Sequence, residues 1–367
     1  MNLRFHWMLP KGGEVSLLGT QTPRAAALYR IQSTAPESPA PLPDMKGWLH
    51  FAQQAETSGI ESLLVSFSRY EPDTFMVSCA LGRATKTLKF IAAYRSGLMQ
   101  PATFVQQVNT LSALIEGRIA INIVAGSSKT EQHSYGDYLE HDERYERAEE
   151  FLAVCNCFWR GEGEVNFTGK HYRVEQGRLH TPFLAPDRIS PEVYVSGHSA
   201  PAEALAGSQG TCLLRVAGDP DKLQPAVARV REQGIEVCLR VCLLCRETRD
   251  EAISVAESLL PEREIPQEKR SVALKDDSQM YREAATVADS WLTRSLWTGL
   301  VPYYGPVWTT LVGTPREIAD ALLDYRRIGV TQFIMSGWPE LDTVVTFGRD
   351  VLPLVRAGEE QRKSQRA

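Results

Sequence analysis

The stretch Ile119-Ala-Ile-Asn-Ile-Val124 shows most clearly how this chain folds. It is short, apolar and rich in β-branched side chains, and it ends at Gly126-Ser127-Ser128. A run of this kind is typical of a strand buried on both faces, as in a parallel sheet. The polar segment His141-Asp-Glu-Arg-Tyr-Glu-Arg-Ala-Glu-Glu-Phe151 follows it and has helical spacing. The two segments together predict one β/α unit.

Similar apolar runs alternate with amphipathic helical stretches along almost the whole chain, with Gly or Pro at most of the joints. Eight strands are predicted: Leu3–Met8, Ser62–Phe67, Leu88–Ala93, Ile119–Val124, Glu192–Ser196, Thr211–Val216, Glu236–Leu244 and Thr331–Ser336. Eight such units predict an α/β protein with a closed (β/α)8 TIM barrel. No G-x-G-x-x-G follows any strand, which argues against a dinucleotide-binding fold.

The long connections predict where this barrel departs from a minimal one. We expect a single domain over residues 1–355, with a small hairpin inserted at about 160–191 and a longer insertion at about 261–310, between strands 7 and 8. The first part of the longer insertion, Glu262–Tyr281, is highly charged, so we expect it to be mobile. The Pro- and Ser-rich segment Gln32–Pro43 is predicted to be a loop, and residues 356–367 a flexible tail.

The composition of the chain argues against several functional classes, namely nucleic-acid-binding, membrane and metal-binding proteins. The chain has 367 residues and a formal net charge of −5, so no basic field favours nucleic acid as a partner. No apolar run is long enough to cross a bilayer and no signal sequence is evident, so we expect a cytoplasmic protein without a membrane partner. The Cys242-x-x-Cys245 pair lies in an apolar strand-like run, where the two side chains point to opposite faces, so we expect no metal site.

Two segments predict an anion-binding group at the carboxyl ends of the strands. On a helix, His141 and Tyr145 share one face, next to the end of the fourth strand. Ser199, in Ser196-Gly-His-Ser199, opens a helix whose backbone N–H groups favour an anion. A phosphate held by Tyr145 and Ser199 accounts for both features. A solvated surface helix and an ordinary helix cap are the alternatives.

The chain offers few reactive groups of its own. It has no Walker loop, no G-x-S-x-G, no obvious carboxylate pair at the strand ends and no set of three metal ligands. An anion-binding barrel of this kind suits a cofactor that performs the difficult chemistry itself.

Ordered motifs then connect the chain to a known family. They are Phe5-His-Trp-Met-Leu-Pro10, Leu17-Leu-Gly-Thr20, Leu88-Lys-Phe90, Gly117-Arg118, His141-Asp-Glu-Arg-Tyr145, Phe167-Thr-Gly-Lys-His171, Arg246-Glu-Thr-Arg-Asp-Glu-Ala252, Thr310-Leu-Val-Gly313 and Ser336-Gly337. In these motifs the chain resembles the luciferase-like, flavin-dependent monooxygenases, and most closely their alkanesulfonate monooxygenase branch.

The resemblance implies a two-component enzyme. A separate NAD(P)H:flavin reductase would supply reduced FMN (FMNH2), and O2 would react with it to give a peroxy- or hydroperoxyflavin that oxygenates the substrate. Members usually form homodimers or homotetramers. By similarity, Tyr145 and Ser199 would bind the FMN phosphate, and Ser66, Asn122 and His141 would lie along the ribityl chain or the ring.

The chain departs from the sulfonate branch at the positions that would contact substrate. Tyr70 stands where that branch has Cys, Cys242 replaces the His of Arg-x-His after Arg240, and Tyr304 replaces a mobile-loop Arg. In Ser336-Gly-Trp-Pro-Glu340, Trp338 and Glu340 replace Tyr and His. We therefore expect catalytic roles for Arg240, Cys242 and Trp338, and substrate contacts from Tyr70, Tyr304, Trp308 and Glu340.

Loss of cationic groups and gain of aromatic ones predict a substrate larger or more aromatic than a short alkanesulfonate. Its oxygenation would lead to C–S, C–N or C–C cleavage. One alternative is that the aromatic side chains only refill the pocket. Two others are a non-catalytic flavin- or ligand-binding barrel and a deazaflavin-dependent reductase.

Overall fold

Parallel strands, each followed by a helix, make up most of the computed structural model. It describes residues 2–10, 45–69, 71–126, 129–260, 279–285, 290–338 and 340–364. Tyr70, the Gln32–Pro43 loop and most of Glu262–Tyr281 lie outside these residues. Two compact units are present: a terminal unit, formed by Met1–Leu63 with Arg215–Ala367, and a central unit, Leu64–Leu214.

Twelve strands lie in the described residues: β1 (Arg4–Met8), β2 (Ser62–Val65), β3 (Lys89–Tyr94), β4 (Ile119–Val124), β5 (Val165–Thr168), β6 (Arg173–Gly177), β7 (Glu192–Ser196), β8 (Cys212–Val216), β9 (Glu236–Cys245), β10 (Leu296–Trp297), β11 (Thr310–Gly313) and β12 (Gln332–Gly337). All eight sequence-predicted strands are therefore confirmed, with boundaries within two residues.

The α-helices of the described residues are α1 (Met45–Thr57), α2 (Thr74–Ala84), α3 (Pro101–Leu114), α4 (Lys129–Ser134), α5 (His141–Arg160), α6 (Ala200–Gln209), α7 (Pro220–Glu232), α8 (Arg249–Ser258), α9 (Gln279–Ala285), α10 (Val301–Tyr304), α11 (Pro315–Arg327), α12 (Glu340–Thr346) and α13 (Leu352–Ser364). A π-helical turn, Phe347–Val351, joins α12 to α13. None of these helices is long and apolar enough to span a membrane.

In the central unit, β3, β4, β7 and β8 pair in that order, all parallel. Strand β4 is buried except at Val124, which explains its unbroken apolar pattern. In the terminal unit, β9 pairs with β12 and β12 with β1, again in parallel. The hydrogen-bonded order of the eight parallel strands is that of a closed (β/α)8 barrel, so the predicted fold class is confirmed.

The connections carry extra strands. The hairpin predicted before the fifth barrel strand is present as antiparallel β5 and β6. Two further strands were not predicted: β11 pairs in parallel with the last residues of β9, and β10 pairs antiparallel with β11. Strand β9 has ten residues and lies between the two neighbours: β12 pairs with one edge over Cys238–Leu243, and β11 pairs with the other edge over Cys242–Cys245. Strands of four and two residues are too short to show a clear period in the sequence.

Candidate functional site

The central unit brings polar side chains together at the carboxyl ends of β4 and β7. Asn122 lies in β4, and the Ser196 hydroxyl at the end of β7 donates a hydrogen bond of 2.7 Å to its Oδ1 atom. Ser66 follows β2 directly and is half-buried. In barrels of this class, ligands bind at this end of the strands.

Tyr145 and His141 lie in the first turns of α5. Their rings are 5.1 Å apart, so the predicted shared face is confirmed. Tyr145 is buried, whereas His141 is partly exposed and its Nδ1 atom is 2.7 Å from Asp142 Oδ1. A capping box formed by Glu140 and Glu143 fixes the start of the helix.

Ser199 stands at the N-cap position of α6, but its side chain makes no capping hydrogen bond. Its hydroxyl oxygen is buried and has no hydrogen-bond partner of ordinary geometry among the residues that the structure describes. A buried hydroxyl without a partner is costly, so this atom is available to a ligand. The geometry therefore does not support the interpretation of Ser199 as an ordinary helix cap.

Gly197 lets the Tyr145 side chain approach the start of α6. A Cβ atom at residue 197 would lie 2.8 Å from Tyr145 Oη and 2.5 Å from the Cβ atom of Ala202. Burial raises the pKa of Tyr145, while the nearby Ser199 hydroxyl and the Arg144 guanidinium act in the opposite direction. The phenol therefore remains a proton donor at neutral pH.

Arg144 is a buried cation beside this group. Its guanidinium donates to the backbone oxygens of Ala125 (3.0 Å), Leu139 (2.7 Å) and Gly126 (3.2 Å). No carboxylate is ion-paired with it in the described part of the chain. A buried positive charge without a paired anion favours an anionic ligand nearby.

Sequence reasoning did not select Arg144, Ser196 or Gly197 as site residues. Arg144 stands in a segment of alternating charges, where an inward-facing Arg looks like any solvated one. The one feature of the sequence that could have indicated a site role for Arg144 is its position, one residue before Tyr145 on a helix that begins beside a strand end. With the free N–H groups of α6, the whole group could bind a phosphate monoester.

A second polar group lies in the terminal unit around β9 and β12. Arg240 Nη2 donates to Ser336 Oγ at 2.7 Å, and the same oxygen is 3.2 Å from the Cys242 sulfur. The thiol also donates to the backbone oxygen of Val307, at 3.3 Å. Ser336 therefore links Arg240 to Cys242, which are two of the three predicted catalytic residues.

Aromatic side chains form a cluster in the same unit. The Trp308 and Trp338 rings are stacked at 5.2 Å with an interplanar angle of 6°, and Tyr304 lies 5.5 Å from Trp308. They belong to a buried apolar cluster that also contains Cys242 and Trp297. Trp338 Nε1 is buried without a partner in the described chain. The structure thus brings Trp338, Trp308, Tyr304 and Cys242 together, while Tyr70 lies outside the described residues.

Glu340 is 1% exposed and already engaged. Its Oε2 atom accepts hydrogen bonds from Trp7 Nε1 (3.0 Å) and from the Gly337 backbone (2.9 Å). These contacts fix the turn that leads from β12 to α12, so they favour a positioning role over direct binding of substrate. The described residues contain no cluster of His, Cys, Asp or Glu that could hold a metal ion.

Comparison with known proteins agrees with this architecture. The EDTA monooxygenase of Chelativorans sp. BNC1 has a TM-score of 0.77 and 19% identity, over 97% of this chain and 94% of that one. Riboflavin lyase, solved with a modified FMN and riboflavin, has a TM-score of 0.73 and 19% identity, over 98% and 92%. An F420-dependent secondary alcohol dehydrogenase has a TM-score of 0.64 and 18% identity, over 97% and 99%.

At these identities the three structures show a shared fold. The match to the luciferase-like monooxygenase family model extends further, because it covers residues 20–332 of the sequence itself. The chain therefore belongs to the luciferase-like monooxygenase family.

Proposed function

We propose that the protein is an FMNH2-dependent monooxygenase that oxygenates an organic substrate larger or more aromatic than a short alkanesulfonate. The observation that carries this proposal is the buried group of Tyr145, Ser199 and Arg144, which has the chemistry of a phosphate site. Family membership supports a flavin cofactor, and riboflavin lyase is a similar structure solved with a modified FMN.

The residues present fit the FMN phosphate. The Ser199 hydroxyl makes no hydrogen bond of ordinary geometry in the described chain, and the Tyr145 hydroxyl lies beside it at the start of α6. Both can donate to phosphate oxygens, and the positive end of α6 adds backbone donors. Arg144 would neutralise part of the phosphate charge without touching it, because its own donors hold the loop after β4.

Ser66, Asn122 and His141 are proposed to bind the ribityl chain or the ring. The Asn122 Oδ1 atom accepts from Ser196, which orients the amide so that its nitrogen can donate to a ligand. FMN, when bound and reduced, would supply the activation of O2. The work of the protein would be to exclude water and to orient the substrate.

The terminal unit supports an apolar or aromatic substrate. We propose that Trp338, Trp308 and Tyr304 provide its ring contacts and that Arg240 donates to one of its oxygen atoms. Tyr70 is proposed as a further contact by similarity alone. We further propose that oxygenation leads to cleavage of a C–S, C–N or C–C bond. An NAD(P)H:flavin reductase would supply the FMNH2, and the protein would assemble into a homodimer or homotetramer.

The phosphate site can be tested without knowing the substrate. We expect Tyr145→Phe to weaken FMN binding at least about tenfold, since one hydrogen bond to a charged group contributes about 1.5–3 kcal/mol. Riboflavin, which lacks the phosphate, should bind wild type and variant alike. Tyr138→Phe, an exposed position, is the matched control. Fluorescence titration measures both ligands, and equal FMN affinity in wild type and Tyr145→Phe would contradict the assignment.

The oxygenase activity needs a separate measurement. With a flavin reductase, NADH and FMN, a correct substrate should raise O2 consumption and take up one oxygen atom from 18O2. If every compound tried led only to release of hydrogen peroxide, the result would favour a second candidate function, in which the protein is not an oxygenase.

That second candidate is a deazaflavin-dependent reductase or a binding barrel without oxygenase activity. The fold shared with an F420-dependent dehydrogenase supports it, as do Cys242 and Tyr304 in place of the His and Arg expected by resemblance. Competitive titration with FMN and F420 separates the cofactors. Tighter F420 binding, and turnover that does not need O2, would favour the reductase.

A further inference from the structure

Arg95 belongs to a third polar group, at the same edge of the central unit but separate from the phosphate site. It follows β3 directly and is 6% exposed. Its Nη2 atom donates to Glu131 Oε2 at 2.6 Å. The other Glu131 oxygen accepts from the Arg69 backbone at 3.1 Å. Neither the phosphate site nor the aromatic cluster uses these side chains.

Two aromatic rings flank the Arg95 guanidinium. Its central carbon lies 5.3 Å from the Phe67 ring centre and 5.8 Å from that of Tyr135, within the range of a cation–π contact. The two rings are 5.5 Å apart. Residues from the segments after β2 and β4 therefore hold the guanidinium of Arg95, which follows β3, in one orientation, at the end of the strands where barrels bind their ligands.

Two of the three guanidinium nitrogens have no partner among the residues that the structure describes. Nε and Nη1 of Arg95 are buried and make no hydrogen bond to any residue of the described ranges. A buried charged group with unsatisfied donors costs folding free energy, and such groups in native proteins usually have a ligand or water. An arginine held in one orientation with unused N–H donors therefore indicates a ligand that carries an oxygen acceptor.

The local charge balance indicates which kind of acceptor fits. Glu131 already neutralises Arg95. Charges that act on the adjacent Tyr135 come from two acids, Glu131 and Glu71, and two bases, Arg95 and Arg69. With no net positive charge to offset it, a buried carboxylate ligand would be repelled by Glu131 and would lose its hydration. A neutral carbonyl oxygen would satisfy the open N–H donors without either penalty.

We propose that Arg95 is a substrate-binding residue that donates to the carbonyl oxygen of an uncharged ketone or amide. The identification of this ligand as the substrate rests on the proposed monooxygenase function. The existence of a carbonyl-binding site at Arg95 does not depend on that function. Arg95 would then be a polar specificity contact within the central unit.

Three ligands of similar shape test this proposal by calorimetry: acetophenone, benzoate and ethylbenzene. Arg95→Met combined with Glu131→Gln removes the donors without leaving an unpaired buried charge. Arg83→Met is the control, because Arg83 lies on the exposed face of α2. Arg95→Lys serves as a second variant, since it keeps the ion pair but loses the planar set of donors. Circular dichroism confirms that each variant is folded.

We expect wild type to bind acetophenone more tightly than benzoate or ethylbenzene. The double variant and Arg95→Lys should bind acetophenone about tenfold more weakly, and Arg83→Met should match wild type. Glu131→Gln alone should improve benzoate binding, because it removes the repelling charge. A purely structural Arg95 would not produce this selective change.

Equal acetophenone affinity in wild type and both Arg95 variants would overturn the proposal. So would tighter binding of benzoate than of acetophenone in wild type, or no acetophenone binding up to its solubility limit. Each titration is run with and without FMN. Failure of FMN to bind would contradict the proposed cofactor, while the acetophenone result without FMN would still report on Arg95.

Discussion

Gly197 is the residue at which one added methyl group would most directly disturb the proposed phosphate site. The Cβ atom of Gly197→Ala would approach Ala202 Cβ to 2.5 Å and the Tyr145 hydroxyl to 2.8 Å. We expect FMN to bind at least about tenfold more weakly, and the free energy of unfolding to fall by about 1–3 kcal/mol. Fluorescence titration and urea unfolding measure the two effects.

Gly218→Ala provides a matched control. It too lies in a loop between a strand and a helix, but its nearest neighbour would be 3.7 Å from the new Cβ atom, an ordinary contact. An unchanged FMN affinity in Gly197→Ala would mean that the Tyr145 hydroxyl does not contact the cofactor.

Ser336 is the residue that links Arg240 to Cys242, so removing its hydroxyl should be costly. We expect Ser336→Ala to lower the free energy of unfolding by about 1.5–3 kcal/mol, because a buried guanidinium loses a 2.7 Å partner. Urea unfolding checks this value. Ser78→Ala is the control, since that hydroxyl donates only to Thr74 in its own helix, in a neutral hydrogen bond of 2.6 Å. A smaller loss in Ser336→Ala than in Ser78→Ala would contradict the linking role.

At the scale of elements, the β5–β6 hairpin is attached to α5 through Glu150. Its two carboxylate oxygens accept from the backbone N–H groups of Lys170, His171 and Tyr172 at 2.8, 2.8 and 3.2 Å. Burial raises the pKa of Glu150, but these N–H groups together outweigh it, so the pKa in the folded protein is lowered. The carboxylate form therefore stabilises the folded state.

This attachment predicts a pH-dependent difference between wild type and Glu150→Gln. The stabilisation should be fully present above the unfolded-state pKa of about 4.3 and should be lost as the pH falls through the lower folded-state pKa. Urea unfolding from pH 3 to 7 measures the difference. The exposed neighbour Glu149→Gln should show no such trend. A difference that stays constant across this range would disprove the role of the charge.

At the scale of the whole molecule, all seven cysteines are free thiols. We therefore expect reductant to leave the thermal unfolding midpoint unchanged and a thiol assay on the denatured, unreduced protein to find all seven. Scanning calorimetry with and without a phosphine reductant makes the comparison. A lower midpoint in reductant would reveal a disulfide and contradict the prediction.

FMN itself should stabilise the folded protein. A ligand that binds only the folded state at a concentration 100 times its Kd contributes about 2.7 kcal/mol. We expect FMN to raise the unfolding midpoint and riboflavin to raise it less, because riboflavin lacks the phosphate. Equal shifts for the two ligands would indicate that the phosphate contributes nothing to binding.

The sequence alone determined the order of elements and the class of fold. The parallel strands are buried on both faces, so they appear as unbroken apolar runs such as Ile119–Val124, which local composition reveals. The shared face of His141 and Tyr145 could also be predicted locally, because residues four apart on a helix lie on the same side. The short strand β11 could not be foreseen, because it forms only by pairing with the end of β9, a segment far from it in the chain.

Only the tertiary structure decided which polar side chains are buried and which of their atoms lack partners. Arg144 and Arg95 look like ordinary surface charges in the sequence, and a lone Ser such as Ser199 or Ser336 carries no signal of its neighbours. Burial and hydrogen bonding depend on segments far apart in the chain, as when Ser196 meets Asn122 or Arg240 meets Ser336. Local periodicity contains no information about such contacts, because they exist only once the strands have paired.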